Sequence, residues 1–246
     1  MSVLSIFNLI LPAVCYSCRK RISIQKQSLC YECAEKLERK KEYITGEIEL
    51  GEKYFDKAIS LFKYDFRVRN LIHDFKYRGI KEIGNYFADI AIEVLKKDYL
   101  EFINIDFVVA VPMHKVRQRE RSFNQAEYLS KRISKALDLE DCSSLVIKNF
   151  QTEKQVFKDL DKRLNAKSSA PIYKVKEKEY FTGKTVLIID DVFTSGATAN
   201  ELSKVLKENG VKKIYVFTIA SGNIKPMNYF SLRKKIKDYT MRELLR

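Results

Sequence analysis

Tryptophan is absent from this sequence, and glycine and proline are scarce, at 8 and 4 of 246 residues. The scarcity excludes collagen-like repeats and Gly/Pro-rich linkers, and leaves a chain long enough for one sizeable domain plus a small one. No stretch is apolar for long enough to cross a bilayer. The run Val3 to Val14 is short, lacks a basic flank and is followed at once by Cys15 and Cys18. It therefore reads as a hydrophobic strap on the body of the protein, not as a signal peptide. A cytoplasmic location is expected, and with it free thiolates in place of disulfides. No GxxxxGK[ST] segment occurs, so a Walker phosphate loop is excluded.

What the chain does have is positive charge: 46 Lys and Arg against 32 Asp and Glu, a formal +14. Such a surface attracts polyanions, and nucleic acid, phosphorylated small molecules and acidic membranes all fit it. Four of the five cysteines form two Cys-x2-Cys knuckles, Cys15 with Cys18 and Cys30 with Cys33. Two such knuckles offer four sulfurs to a tetrahedral zinc ion. Four protein ligands leave no position open for a substrate, so the role predicted is structural, with redox chemistry at the pairs as the competing reading. Cys142 has no partner in the pattern and reads as an ordinary thiol.

The stretch around which the chain is organised is Lys184 to Thr198, KTVLIIDDVFTSGAT. Val186 to Ile189 suit a strand buried on both faces of a parallel sheet. Asp190 and Asp191 cannot both be buried cheaply, so they are expected to open onto the crevice at the carboxyl end of that strand. Thr194, Ser195, Gly196, Ala197 and Thr198 then supply hydroxyls, amides and a flexible glycine at a turn into a helix, which is a cradle for an anion. Carboxylates that accept from hydroxyls, beside a turn that holds phosphate, fit a phosphorylated sugar. The stretch resembles the phosphoribosyl pyrophosphate (PRPP) signature of type I phosphoribosyltransferases. That resemblance implies that Asp190 and Asp191 hold the ribose hydroxyls and that Thr194 to Thr198 hold the 5′-phosphate.

In chain order, the charged segment between Ala34 and Lys53 marks the edge of the zinc module. Lys57 to Tyr64 reads as a strand, and Val68, Leu71, Ile72 and Phe75 as the apolar face of a helix that Gly79 ends, leaving Lys76 and Arg78 near a turn. His73 lies between those apolar positions and reads as packed. A second helix runs from Ile80 to about Lys97. Phe107 to Val111 is a buried strand stopped by Pro112. Lys115, Arg117, Arg119 and Arg121 follow at alternate positions; in an extended loop they share one side and form a basic edge for pyrophosphate or nucleic acid. Ser122 is placed to cap the next helix, with Ala126, Leu129, Ile133, Ala136 and Leu137 as its apolar positions and Asn124 and Gln125 in its first turn. Leu145 to Ile147 reads as a short strand. The polar passage Asn149 to Tyr173, with Gln155, Arg163 and Asn165, suits a mobile lid. A helix ended by Gly210 and a strand over Lys213 to Ala220 follow the signature. From Lys225 the chain reads as a peripheral basic helix.

The knuckles, FKYRG, VAVPMH followed by RQRERSFNQA, TEKQ with Arg163 and Asn165, and LIIDDVFTSGAT stand in the order found in the ComF family, and the resemblance covers about Leu11 to Ser221. It implies an α/β fold of the type I phosphoribosyltransferase kind, a mostly parallel sheet flanked by helices behind a zinc module. The expected divisions are 1–50, 51–222 and a basic tail 223–246. Two departures are visible. Ser122 stands where the family commonly has glycine, and the valine, glycine and phenylalanine pattern after Asn165 is missing from Ala166 to Ala170.

The resemblance further implies DNA uptake as the setting, PRPP with Mg2+ as ligand, and Lys76, Arg78, Pro112, Lys115, Arg117, Arg119, Arg121, Asn124, Gln125 and Arg163 as pyrophosphate or lid residues. Three roles follow. A PRPP-binding protein is the main expectation; a transferase that releases pyrophosphate and a zinc-bearing scaffold for single-stranded DNA or a competence helicase are the alternatives. Without a glutaminase-like region, a glutamine-dependent amidotransferase is not expected.

Overall fold

The computed structural model describes residues 13–22, 28–38, 52–98, 104–148 and 172–222. After the cysteine loops come α1 (Tyr31–Glu38), β1 (Lys57–Lys63), α2 (Phe66–Tyr77), α3 (Lys81–Asp98), β2 (Phe107–Ala110), α4 (Lys115–Arg121), α5 (Gln125–Leu137) and β3 (Glu140–Asp141). A short 3-10 turn, Ser143–Leu145, precedes β4 (Val146–Lys148); then follow β5 (Tyr173–Val175), α6 (Lys178–Phe181), β6 (Thr185–Phe193), α7 (Ala197–Glu208) and β7 (Lys213–Ser221).

Five strands form one parallel sheet in the order β1-β7-β6-β2-β3, and β4 pairs antiparallel with β5 as a separate ribbon. The α/β class and the parallel sheet flanked by helices are thus as the sequence implied. The inner strands are apolar throughout because both faces are covered. On one face Leu187, Ile189, Phe217 and Ile219 pack with residues of α2, α3 and α5, and on the other Val186, Ile188 and Val216 pack with Leu202, Val205 and Leu206 of α7. Some buried hydroxyls interrupt this apolar core. Ser60 and Thr218 sit opposite each other across β1 and β7 and satisfy one another at 2.5 Å.

Several local readings need correction. Lys115 to Arg121 is a helix, not an extended loop, since Lys, Arg, Gln and Glu are good helix formers; alternate residues therefore fan out around the axis. The cap of α5 is Asn124, whose side chain accepts from the Ala126 N–H at 3.0 Å. Ser122 has φ +66, a left-handed backbone and not the extended one typical of a side-chain N-cap. Ala136 is exposed, and so is His73, which lies against Tyr77 with ring centroids 4.8 Å apart. The strand placed at Leu145 to Ile147 begins one residue later, after the 3-10 turn. Most of the apolar strap, most of the lid passage with Gln155, Arg163 and Asn165, and the tail from Lys225 lie outside the described residues.

The cysteine loops share the main core. Cys15, Leu29, Cys33 and Leu37 belong to the same buried cluster as Val68, Leu71, Ile72 and Phe75 of α2. Ser28 Oγ donates to the Glu82 carbonyl at 2.7 Å, which ties these loops to the start of α3.

Gly84 sets how closely α3 approaches its neighbours. A Cβ there would stand 2.5 Å from Phe75 Cε2 and 2.9 Å from Tyr128 Cε1. Phe75, Phe123 and Tyr128 form an edge-to-face aromatic cluster, and Phe123 lies in the corner between α4 and α5. Gly84→Ala is therefore expected to destabilise the protein by about 1–3 kcal/mol in urea unfolding, because overpacking outweighs the gain in helix propensity of about 1 kcal/mol. An unchanged or higher urea midpoint would show that the rings yield easily.

Candidate functional site

The site begins with a step in the sheet. β2 ends at Ala110, opposite Ile189, and its last ladder bond is the Val111 N–H to the Ile189 carbonyl at 2.9 Å. β6 continues to Phe193 with β7 alone beside it. Asp190 and Asp191 occupy the part of β6 that has lost its neighbour. The resulting cleft, about 260 Å³, lies at the carboxyl ends of the strands, where α/β sheets bind ligands.

Because the strand runs on through the pair, the two side chains alternate between faces. Asp191 follows Leu187 and Ile189 toward the α2 side and is buried, with Lys76 Nζ 2.7 Å from Oδ1. Both acids line the cleft, as expected; Asp191 is the more buried of the two, and its burial is made tolerable by an internal cation. Asp190 is partly buried and accepts the Asp191 N–H at 2.8 Å. Burial, reinforced by the neighbouring carboxylate, pushes Asp190 up to about 7; that N–H, Lys76 and Arg121 pull the other way. The acid pair therefore consists of one ion-paired carboxylate and one that gains or loses a proton near neutrality.

Next along the chain, Thr194 and Ser195 are exposed and Gly196 takes φ +76 at the N-cap of α7. The first-turn amides of α7 have no intrahelical acceptor, so they and the helix dipole offer an anion site. Ser195 Oγ accepts a long bond, 3.4 Å, from the Ala197 N–H. Thr194 and Thr198 line the cleft itself.

The opposite wall is basic. Arg117 and Arg121, four residues apart on α4, both line the cleft, while Arg119 points elsewhere and is exposed. The side chain of Lys115 is outside the described residues. Pro112 and Asn124 are in the lining, but Asn124 is committed to the α5 cap and to the Val111 carbonyl at 3.1 Å. Gln125 is fully buried behind it and Arg78 pairs with Asp74 at 3.6 Å, so neither lines the cleft.

The lining also contains Met113, His114, Lys148 and Tyr173, which sequence reasoning did not select. Lys148 and Tyr173 are register partners on the β4–β5 ribbon. Nothing in the local pattern marks Tyr173; it reaches the site only because that ribbon pairs.

Some distance away, the ligand atoms of Cys15, Cys18, Cys30 and Cys33 all lie within 4.8 Å of one another, with Cys18 Sγ 3.7 Å from Cys30 Sγ. Four sulfurs about 2.3 Å from a tetrahedral zinc stand roughly 3.8 Å apart, so the donor set and spacing suit that ion. Cys142 is buried elsewhere, its thiol pushed up to about 12 by burial and by Glu140 and Asp141.

Residues 79–240 match a family described as phosphoribosyl transferase domain. The chain belongs to that family. Among its relatives, competence protein F of Haemophilus influenzae is 29% identical over 69% of this chain and 74% of its own length. Competence protein ComFC of Bacillus subtilis is 31% identical over 61% of this chain and 58% of its own. These two bear out the resemblance to ComF proteins. A solved adenine phosphoribosyltransferase from Saccharomyces cerevisiae aligns at TM-score 0.38 and 14% identity, over 58% of this chain and 72% of that one. Among the described residues no helix is long and apolar enough to cross a membrane.

Two predictions rest on this geometry. Ser122 takes a left-handed backbone, so Ser122→Gly is expected to stabilise the protein by up to about 1 kcal/mol; a lower melting temperature would show that the serine side chain makes a stabilising contact. Asp190 is raised above its unfolded value of 3.8 to about 7, so the native state holds a proton that the unfolded state releases between those values. Its contribution to stability is present below about pH 4 and lost as pH rises through about 7. Asp190→Asn is expected to be more stable than wild type at pH 8 by a few kcal/mol, and the difference should vanish near pH 4. Parallel stability curves for the two proteins would remove the shift.

Proposed function

We propose that this chain binds PRPP in the cleft at the end of β6. The observation that carries the proposal is a juxtaposition: two adjacent carboxylates share one cleft with Thr194 and Thr198 of a hydroxyl-rich helix start and with Arg117 and Arg121 of α4. A ligand that combines a phosphate, a diol and a pyrophosphate matches these three groups. Asp190 and Asp191 accept from the ribose hydroxyls, the α7 turn takes the 5′-phosphate, and the arginines take the pyrophosphate bidentately. Mg2+ accompanying the pyrophosphate would find hard oxygen donors in Asp190 and Asp191 and would spread the phosphate charge.

The same arrangement suits transfer chemistry. The anomeric C–O bond breaks with its electron pair leaving on pyrophosphate, a nitrogen nucleophile forms the new C–N bond, and its proton passes to solvent. Carboxylates below the ring favour the positive charge that develops on it, and the basic wall favours the departing anion. The relatives' names make DNA uptake the cellular setting we assign, with the four cysteines holding a structural zinc ion.

Calorimetric titration of the zinc-loaded protein with Mg2+ and PRPP tests the assignment. Saturable binding is expected, and Asp190→Asn with Asp191→Asn should weaken it by tenfold or more while the protein stays folded; asparagine still accepts from the Asp191 amide position and from Lys76. Equal affinity in the double variant would remove the ribose role of the acids. Absence of binding to wild type would remove the ligand.

A further inference from the structure

The last turn of α2 touches both poles of the cleft. Lys76 reaches Asp191 at 2.7 Å. Its neighbour Tyr77 accepts from Arg121 Nη2 at 3.1 Å, and the guanidinium lies 5.0 Å from the centre of the tyrosine ring. One turn of helix therefore sets the cation that answers the buried acid and the platform that holds one arginine of the basic wall.

That same turn is gripped from the other side. Asp74, with its side chain 12% exposed, pairs with Arg19 Nη2 at 2.9 Å and with Arg78 Nη1 at 3.6 Å. Arg19 follows directly on Cys18, and its N–H donates to the Cys15 carbonyl at 2.8 Å. It has φ +65. A non-glycine residue stays in the left-handed region only where the surrounding chain enforces it, and here the Cys15–Cys18 knuckle, whose turn Arg19 closes, does so. The direction in which Arg19 projects is thus decided by the cysteine loop, while the group it holds belongs to α2.

We propose that Arg19 is a positioning residue for the cleft: through Asp74 it fixes the last turn of α2, and so the settings of Lys76 and Tyr77. The ligand side of this proposal rests on the PRPP reading; the geometric side does not. A planar guanidinium on a carboxylate constrains direction as well as distance, which a hydrophobic contact alone does not. Displacement of a positioning element by about 1 Å is enough to change affinity or rate strongly.

The test uses the zinc-loaded full chain and Arg19→Asn, since asparagine tolerates a left-handed backbone while lacking the cation. Metal analysis and the melting temperature establish that the loop is intact. Asp74→Asn makes the same cut from α2 and leaves the metal loop untouched, so it decides the matter if the first variant loses zinc. Two quantities are then read. The first needs no ligand: the midpoint of the Asp190 carboxyl carbon in an NMR pH titration. The charged groups facing Asp190 are Asp191 beside it, Lys76 from α2 and Arg121 from α4, and withdrawal of Lys76 or Arg121 should move that midpoint upward. The second is the affinity for Mg2+ and PRPP, expected to fall about fivefold. Combined with Tyr77→Phe, the losses should be smaller than the product of the two single effects, as expected for groups acting through one turn. Zinc retained with an unmoved midpoint and unchanged affinity would overturn the proposal. If wild type binds no PRPP, the ligand reading fails and the carboxyl titration still decides whether Arg19 positions the acid pair.

Discussion

The charge on Asp191 has to be answered inside the protein, and the ion pair with Lys76 answers it. A carboxylate this deep without a partner would either take up a proton or open the strand end to water. Lys76 supplies that partner, its Nζ 2.7 Å from Asp191 Oδ1 at the wall of the cleft. The proton equilibrium then falls on Asp190, whose burial and neighbour hold it near neutrality. Two identical residues adjacent in sequence thereby acquire different jobs, because a strand turns successive side chains to opposite faces and only one face has a lysine waiting.

That lysine is useful only where α2 puts it. The helix is seated by Val68, Leu71, Ile72 and Phe75 against the sheet, and by α3, whose Gly84 lets the backbone come close to the Phe75 ring. The aromatic cluster that includes Phe75 reaches through Phe123 to the corner of α4, which carries Arg117 and Arg121. The acid pole and the basic pole of the cleft are therefore connected through one packed region, and the cysteine loops pack on that region from outside.

Parts of the site were legible because their chemistry is written locally. Val186 to Ile189 mark a buried strand by composition alone, Asp190 and Asp191 mark where it meets polar surroundings, and Gly196 marks a turn that needs positive φ. The four cysteines announce themselves by spacing. The basic segment after Pro112 was harder. Its charges at alternate positions suggested a shared side, yet the same residues favour helix, and helical spacing brings Arg117 and Arg121 together while sending Arg119 away. Ser122 was misplaced for a related reason: its residue type suits a helix cap, yet its backbone is left-handed and Asn124 caps α5.

By itself, then, the sequence determined the buried strands β1, β2, β6 and β7, the turn at Gly196 and the paired cysteine knuckles, since each depends on residues close together in the chain. Which acid would be ion-paired and which would titrate was decided only by the tertiary structure. So were the presence of Tyr173 and Lys148 at the cleft and the contact of Arg19 with Asp74. Each of these joins residues far apart in the chain, and their meeting depends on sheet order, strand length and helix seating. Electrostatic environment is a property of distance and burial, and neither exists until the chain has folded.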